Sequence, residues 1–452
     1  MLRRIGPSVD TKIAAGAIGD LGGAVTVDLI DRAPHVSPIK QLIRPRQRGK
    51  MCSVKTVYGR SITVAADRSF ITYECGDFTL KPARDLRVGD VVVASRRLPR
   101  PVPQAEVDLA AVLKRAGQDH AVRIEGEAVR RLIAARIAGR QPAELRRDEE
   151  RVAVPVEAWA RLARKRTWKG ITCAEMAKRL GYRQACSISE FERCRSRPPV
   201  SVFMRYLTEL DEPWPDETKL VRSVIDQWAF SPSAHERYRN TSAAVWLSDL
   251  DEKDLARLAA EPDGRDVVLY PRAHRDQGLA RYLPVTEDLC YVLGWYMAEG
   301  SLGSRGSRMN FSLGAGDQPY IPGLCEAVER VTGRAPVVSV PKGRPNSRHV
   351  YVHAPLMGRL IRAIGLGEGA CEKRVPDLLM NCSEEQQFAF LEGYFLGDGT
   401  KDTNGRKIVF STSSVEMVDG LLYLLGQLGV IAGLYTRRGG TPDPRRRRPH
   451  QA

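Results

Sequence analysis

The 452-residue chain contains no run of apolar residues near the ~20 that a bilayer-spanning helix requires, which excludes a membrane span of that kind. Nor does it open on a secretory signal, because Arg3 and Arg4 are followed by a stretch that Asp10, Lys12 and Asp20 interrupt. Its 9 cysteines are odd in number, scattered, and never spaced as CxxC. A disulfide framework or zinc site is therefore not expected, and a reducing, cytoplasmic setting is. The chain also lacks the bias of disordered or fibrous proteins, with 43% hydrophobic and 27% charged residues. Its length admits roughly two to four domains, enough for more than one buried core.

What the chain has in excess is positive charge, 70 Lys+Arg against 54 Asp+Glu for a net +16. That charge is concentrated. Residues 40–55 carry Lys40, Arg44, Arg46, Arg48, Lys50 and Lys55 and no acid. Residues 161–205 carry twelve Lys/Arg against Glu175, Glu190 and Glu192, and the tail from Arg437 carries six Arg against Asp443. Residues 284–436, by contrast, hold 14 Lys/Arg and 16 Asp/Glu. Patches of this kind suit a polyanion such as nucleic acid, since neutralised phosphates release condensed counterions. For the tail, 437–452, a solvated disordered segment is the plainer reading.

Residues 1–50 form a basic, Gly-rich entry segment without clear periodicity. From 51 to 103 short β-like runs (SVKTV, SITVAA, SFITY, DFTL, DVVVAS) are punctuated by Gly59, Gly76 and Gly89, and PRPVP at 99–103 reads as a stiff linker. Residues 104–283 read as helical, and 284–436 as alternating helices and strand pairs.

The most informative feature is a repeat. VLGWYMAEG at 292–300 and LEGYFLGDG at 391–399 share an apolar stretch, a glycine at the third position and an acid-Gly ending. A single copy would read as a buried helix with a glycine cap, but two copies with matching flanks imply two copies of one structural unit. Gly294 and Ala298, like Gly393 and Gly397, lie four apart on one helix face, where small residues let two helix backbones approach. Glu299 and Asp398 then fall together at the ends of the paired helices. Two carboxylates so placed repel unless a cation joins them, and oxygen donors suit Mg²⁺.

Both segments resemble the LAGLIDADG (dodecapeptide) motif of homing endonucleases, especially those embedded in inteins, and ACEKRVPDLLMNCSEEQQFAFLEGYFLGDGT at 370–400 is similar to the lead-in of their second motif. The resemblance implies two αββαββα repeats in one monomeric pseudo-dimer, with β-saddles in the DNA major groove. It implies Glu299 and Asp398 as ligands of Mg²⁺ (or Mn²⁺) in hydrolysis of double-stranded DNA, with water as nucleophile. Lys342 and Lys401 are candidates for the family's basic catalytic residues, and Arg344 and Arg348 for DNA contacts. Residues 301–390 leave room for a complete first repeat, whereas only 400–452 follow the second motif, so the second repeat is expected to lack its second hairpin.

GRSITVAADRSFITYECGDFTLKPARDLRVGDVVVASRRLP at 59–99 resembles the Hint splicing domain of inteins. Where that family places a Thr and a His that polarise the scissile amide, this chain has Ala65 and Arg68; alanine has no hydroxyl and arginine does not exchange protons near neutral pH. A degenerate module is expected, with an unrelated small β-barrel as the alternative. WKGITCAEMAKRLGYRQACSISEFERCRSR at 168–197 resembles a helix-turn-helix, with Arg183, Gln184, Arg193 and Arg195 on or beside the second helix as DNA contacts; a merely structural helical hairpin is the alternative. Trp168 and Phe191 are expected in its core. The sequence thus predicts a multidomain α+β protein: an all-β Hint-like segment, a helical middle with a DNA-binding insert at 161–205, and a LAGLIDADG pair at 284–436.

Overall fold

The computed structural model describes residues 23–27, 34–41, 49–138, 151–221, 245–271, 275–303, 306–402 and 404–436, so most of the entry segment and the tail 437–452 lie outside the described residues. The chain forms two compact units, 1–106 with 284–452, and 107–283. It is a mixed α/β protein with several small sheets, and no described helix is long and apolar enough to cross a membrane.

In the first unit, Gly23–Val27 and Pro34–Pro38 pair as an antiparallel hairpin inside the segment that shows no periodicity. Two further hairpins follow, Met51–Lys55 with Ser61–Ala65 and Ser69–Glu74 with Asp77–Pro82. The expected strand at 90–95 is reduced to a short run beside the second hairpin, where Tyr73 N donates to Val91 O and Val93 N to Ile71 O at 2.9 and 2.8 Å. Gly59, at φ 79°, turns the first hairpin under Leu434, whose N donates to Tyr58 O at 2.6 Å. The proline-rich 99–103 stretch is no free linker. Leu98 N donates to Gly426 O, Gln104 N to Asn381 O and Val285 N to Ala105 O, while Arg97 and Arg100 both meet the Glu384 carboxylate. The stretch is a strap pinned beside the N-terminal ends of the two motif helices.

Those helices are Glu287–Glu299 and Glu384–Asp398. Thr286 Oγ1 accepts from Leu289 N at 3.1 Å, and Ser383 forms a reciprocal capping box with Gln386, so each start is set by the sequence. The first helix is apolar nearly all round and correspondingly buried, from Leu289 through Met297 except for half-exposed Tyr291. After it comes a four-stranded sheet ordered Gly300–Leu302, Arg308–Leu313, Arg348–His353, Val337–Ser339. Met309, Phe311, Leu313, Val350 and Val352 alternate into the core beneath helices Ile321–Thr332 and Pro355–Ala363. After the second motif helix, Gly399–Lys401 pairs only with Ile408–Phe410, before helix Val415–Gln427. Among the described residues the second repeat therefore has two strands where the first has four.

The second unit departs from the expected helical middle. Val245–Trp246, Val122–Glu125, Val268–Pro271 and Leu279–Ala280 form a four-stranded antiparallel sheet. Strands of two to four residues leave too little alternation to read, and Leu269 pairs with Ile124 across more than a hundred residues. Residues 151–221 do form a helical unit, with helices Val156–Trp168, Cys173–Arg179, Cys186–Glu192 and Val200–Leu210 around Trp159, Leu162, Met176, Ile188, Phe191, Phe203 and Tyr206. Thr172 and Glu175 make a capping box, and Gly181 turns at φ 81° between the second and third helices. Phe191 is in the core as expected, but Trp168 is 83% exposed. The reason is angular: nine residues after buried Trp159, at about 100° per residue, it points about 180° away from the core.

Candidate active site

The two motif helices touch along their glycines. A Cβ on Gly294 would strike Phe390 O and approach Tyr394 N to 2.8 Å; one on Gly393 would strike Tyr291 O and approach Trp295 N to 3.1 Å; one on Gly397 would strike the Ala298 Cβ. Backbone lies against backbone because nothing stands between. Each helix ends on its acid and passes through a glycine straight into the first strand of its sheet: Glu299 then Gly300, Asp398 then Gly399. Neither glycine has a positive φ. A side chain is excluded instead by Tyr296 and Phe395, whose atoms already fill the Cβ position.

This packing brings Glu299 and Asp398 together, both half-buried. Glu299 is pushed up to about 7, first by burial and then by the charges of Asp398 and Asp317. Asp398 is raised as well, chiefly by burial. Asp317 lies on the turn Ala315–Tyr320, where its Oδ2 accepts from Gly314 N at 2.7 Å.

The cation acting on both acids is Lys373, which the sequence reading did not single out. It is only 9% exposed, its Nζ donates to Ala298 O at 3.2 Å, and it sits 5.8 Å from the Tyr296 ring centre. Burial lowers its pKa, while Asp398 and Glu299 pull the other way. The turn before it holds it there: Lys373 N donates to Gly369 O, Arg374 N to Leu366 O, and Gly367 packs so close to the Glu372 carbonyl that a Cβ would strike it. Lysine is almost never this buried without a partner, and burial is the one signal a sequence does not display. Lys342 is exposed in the turn between two strands, and Lys401 is exposed at the end of Gly399–Lys401.

Two carboxylates fit a hard divalent cation, since Mg²⁺ is commonly held by one or two carboxylates and keeps waters elsewhere. Among the described residues no third His, Cys, Asp or Glu completes a metal-holding cluster. Arg344 is exposed beside the first sheet, and Arg348, opening Arg348–His353, donates to Pro345 O and Ser347 O. In the other unit the helix Cys186–Glu192 is shorter than the sequence suggests. Gln184 and Arg183 precede it, Arg193 caps it and Arg195 follows, all four exposed. Ala65 is half-buried at a strand end, and Arg68 is exposed in the adjoining turn.

Comparison with known proteins accords with this geometry. Residues 385–449 match the family model described as a LAGLIDADG-like domain. The chain is 23% identical over 415 residues to a DNA polymerase of Thermococcus hydrothermalis, covering 90% of this chain and 22% of that protein. It is also 23% identical over 466 residues to a DNA polymerase of Thermococcus sp. (strain GE8), covering 95% and 23%. Over 150 residues it is 29% identical to the replication factor C small subunit of Methanocaldococcus jannaschii, covering 33% and 8%. The chain thus spans a quarter or less of the polymerases it matches. The LAGLIDADG-like domain supports a nuclease of the homing kind and implies DNA binding.

Proposed function

We propose that this protein is a site-specific, divalent-metal-dependent double-stranded DNA endonuclease of the intein-associated LAGLIDADG type. The observation that carries the reading is the pair Glu299 and Asp398, presented at the ends of two helices in backbone contact, with the charge of buried Lys373 acting on both. Mg²⁺ (or Mn²⁺) bound by the two carboxylates would stabilise charge on the phosphate undergoing hydrolysis. The chain's own residues do the rest. The helix pair fixes the two carboxylates relative to each other, and Lys373 sets a positive charge beside a phosphate brought to the site. Arg183, Gln184, Arg193, Arg195, Arg344 and Arg348 are the proposed contacts to DNA away from the reacting bond, and Lys342 and Lys401 further basic residues of the cleavage surface. The Hint-like segment, with Ala65 and Arg68, is read as unable to splice.

The test uses a randomised duplex library. The wild-type chain is expected to cut a subset of sequences with Mg²⁺, and Glu299→Gln and Asp398→Asn to abolish cutting while retaining the DNA. Cutting by the double variant at the wild-type rate removes the assignment. The two-stranded second sheet favours a second reading, a DNA-binding element without cleavage; retention on DNA with no cutting across Mg²⁺ and Mn²⁺ concentrations would establish it.

A further inference from the structure

The helix Val156–Trp168 has a solvent face that its burial pattern isolates. Arg161, Arg164 and Trp168 are spaced i, i+3 and i+7, and each is exposed. At about 100° per residue they fall within about 60° of one another, opposite Trp159, Leu162 and Arg166. Trp168, 83% exposed, is the most exposed tryptophan among the described residues. Tryptophan normally hides most of its surface, so one standing in solvent beside two arginines calls for a partner.

The charge around the stripe selects the kind of partner. Around the stripe's helix the acids of the last helix and its exit are already engaged, Glu212 with Lys165, Asp211 with Lys169 and Glu209 with Arg179, and Glu192 of the helix before it is engaged with Arg166. Arg161 and Arg164 have no carboxylate partner among the described residues; Arg164 Nε reaches only Ala160 O, at 3.3 Å. An apolar partner would strand two guanidinium groups. A nucleic acid answers both needs, offering phosphates for arginine and, at an opened base step, a base face for tryptophan. The stripe is about 10 Å long, the rise of about three base steps.

We propose that Arg161, Arg164 and Trp168 form a DNA-contact stripe in which the two guanidinium groups neutralise neighbouring phosphates and the indole wedges into an opened base step, stacking on the exposed base. The contact lies on the outer face of the first helix of this unit, not on the helix Cys186–Glu192, whose exposed positions include Glu190 and no basic residue. The proposal rests on the reading that this unit meets DNA. All three side chains are exposed, so replacing them leaves the core intact.

The experiment follows the full chain by fluorescence anisotropy on a labelled 40-bp random-sequence duplex through a salt titration. For Trp168→Ala the expected result is about 5- to 150-fold weaker binding with an unchanged salt slope, the effect of one lost stacked base. Arg161→Gln/Arg164→Gln is expected to lower the log–log salt slope by about 2. Tryptophan emission should be quenched on adding DNA, with the quench reduced in Trp168→Phe. Wild-type binding by both Trp168→Ala and the arginine double variant overturns the stripe. If Arg183→Gln/Arg193→Gln/Arg195→Gln still weakens binding, only the stripe falls; if it too binds normally, the DNA reading of the unit falls with it. Trp168-dependent sedimentation with phosphatidylserine vesicles, without an effect on DNA binding, would assign the stripe to a membrane surface and overturn the proposal.

Discussion

Lys373 shows how a single residue acquires its role from the fold around it. Its ammonium is held against burial by the Ala298 carbonyl and by two acids that are themselves raised by burial. Lys373→Met should lower the melting temperature without unfolding the chain, because it leaves the two acids without their neighbouring cation while relieving the lysine's own burial. Cleavage should nevertheless fall about 10²–10³-fold, the usual loss for one electrostatic contact to a transition state. Single-turnover cleavage measured beside a thermal melt separates the two. Glu299 makes a complementary prediction in protein stripped of divalent cations. Its carboxyl is pushed from 4.5 up to about 7, so the folded state holds a proton the unfolded chain has released. Stability is therefore full below about pH 4.5 and is lost as pH rises through 7. Glu299→Gln removes that loss and should raise stability above pH 7 by about 1 kcal/mol, a figure reduced for a half-exposed group. Denaturant midpoints at pH 4 and 8 check it: the variant should gain only at the higher pH.

At the scale of elements, the contact between the motif helices is backbone against backbone, and the glycines that permit it have no slack. Gly294→Ala or Gly393→Ala places a methyl on a facing carbonyl, so the helices must move apart. We expect about 1–3 kcal/mol lost from overpacking, read from the unfolding midpoint. Cleavage should fall further than stability alone explains, because the acids ride on the helix ends. Much of this element was legible in the residues: the caps Thr286 and Ser383, the small residues four apart, and the acid-Gly endings all act within a few residues of themselves. The strap 97–105 was not. A Pro-rich stretch reads as a spacer until its bonds to Gly426, Asn381 and Val285 are seen, and those partners lie 180 residues or more away. Trp168 was misplaced for a related reason: an aromatic residue announces apolar surface, whereas the phase of its helix decides which way that surface faces.

For the whole molecule, the charge map and the fold describe one division of labour. The nearly balanced 284–436 region holds the acids, while the net +9 of 161–205 sits in the other unit. The hairpins of 51–82 belong to the same compact unit as the acids, with Arg68 exposed in a turn and Ala65 carrying no polar side chain. Fused between two reporter proteins, the chain should give no ligated product on a gel; a ligated product would show that other residues serve for Ala65 and Arg68. The sequence by itself determined what depends on near neighbours: the two motif helices and their ends, the β-hairpins after Met51, the capped helices of the basic unit and the location of charge. Only the tertiary structure decided that the charge of Lys373 is set near the acids, that Trp168 faces solvent and that four short strands close a sheet in the second unit. Those outcomes turn on burial and on pairings between distant segments, which arise when the chain packs.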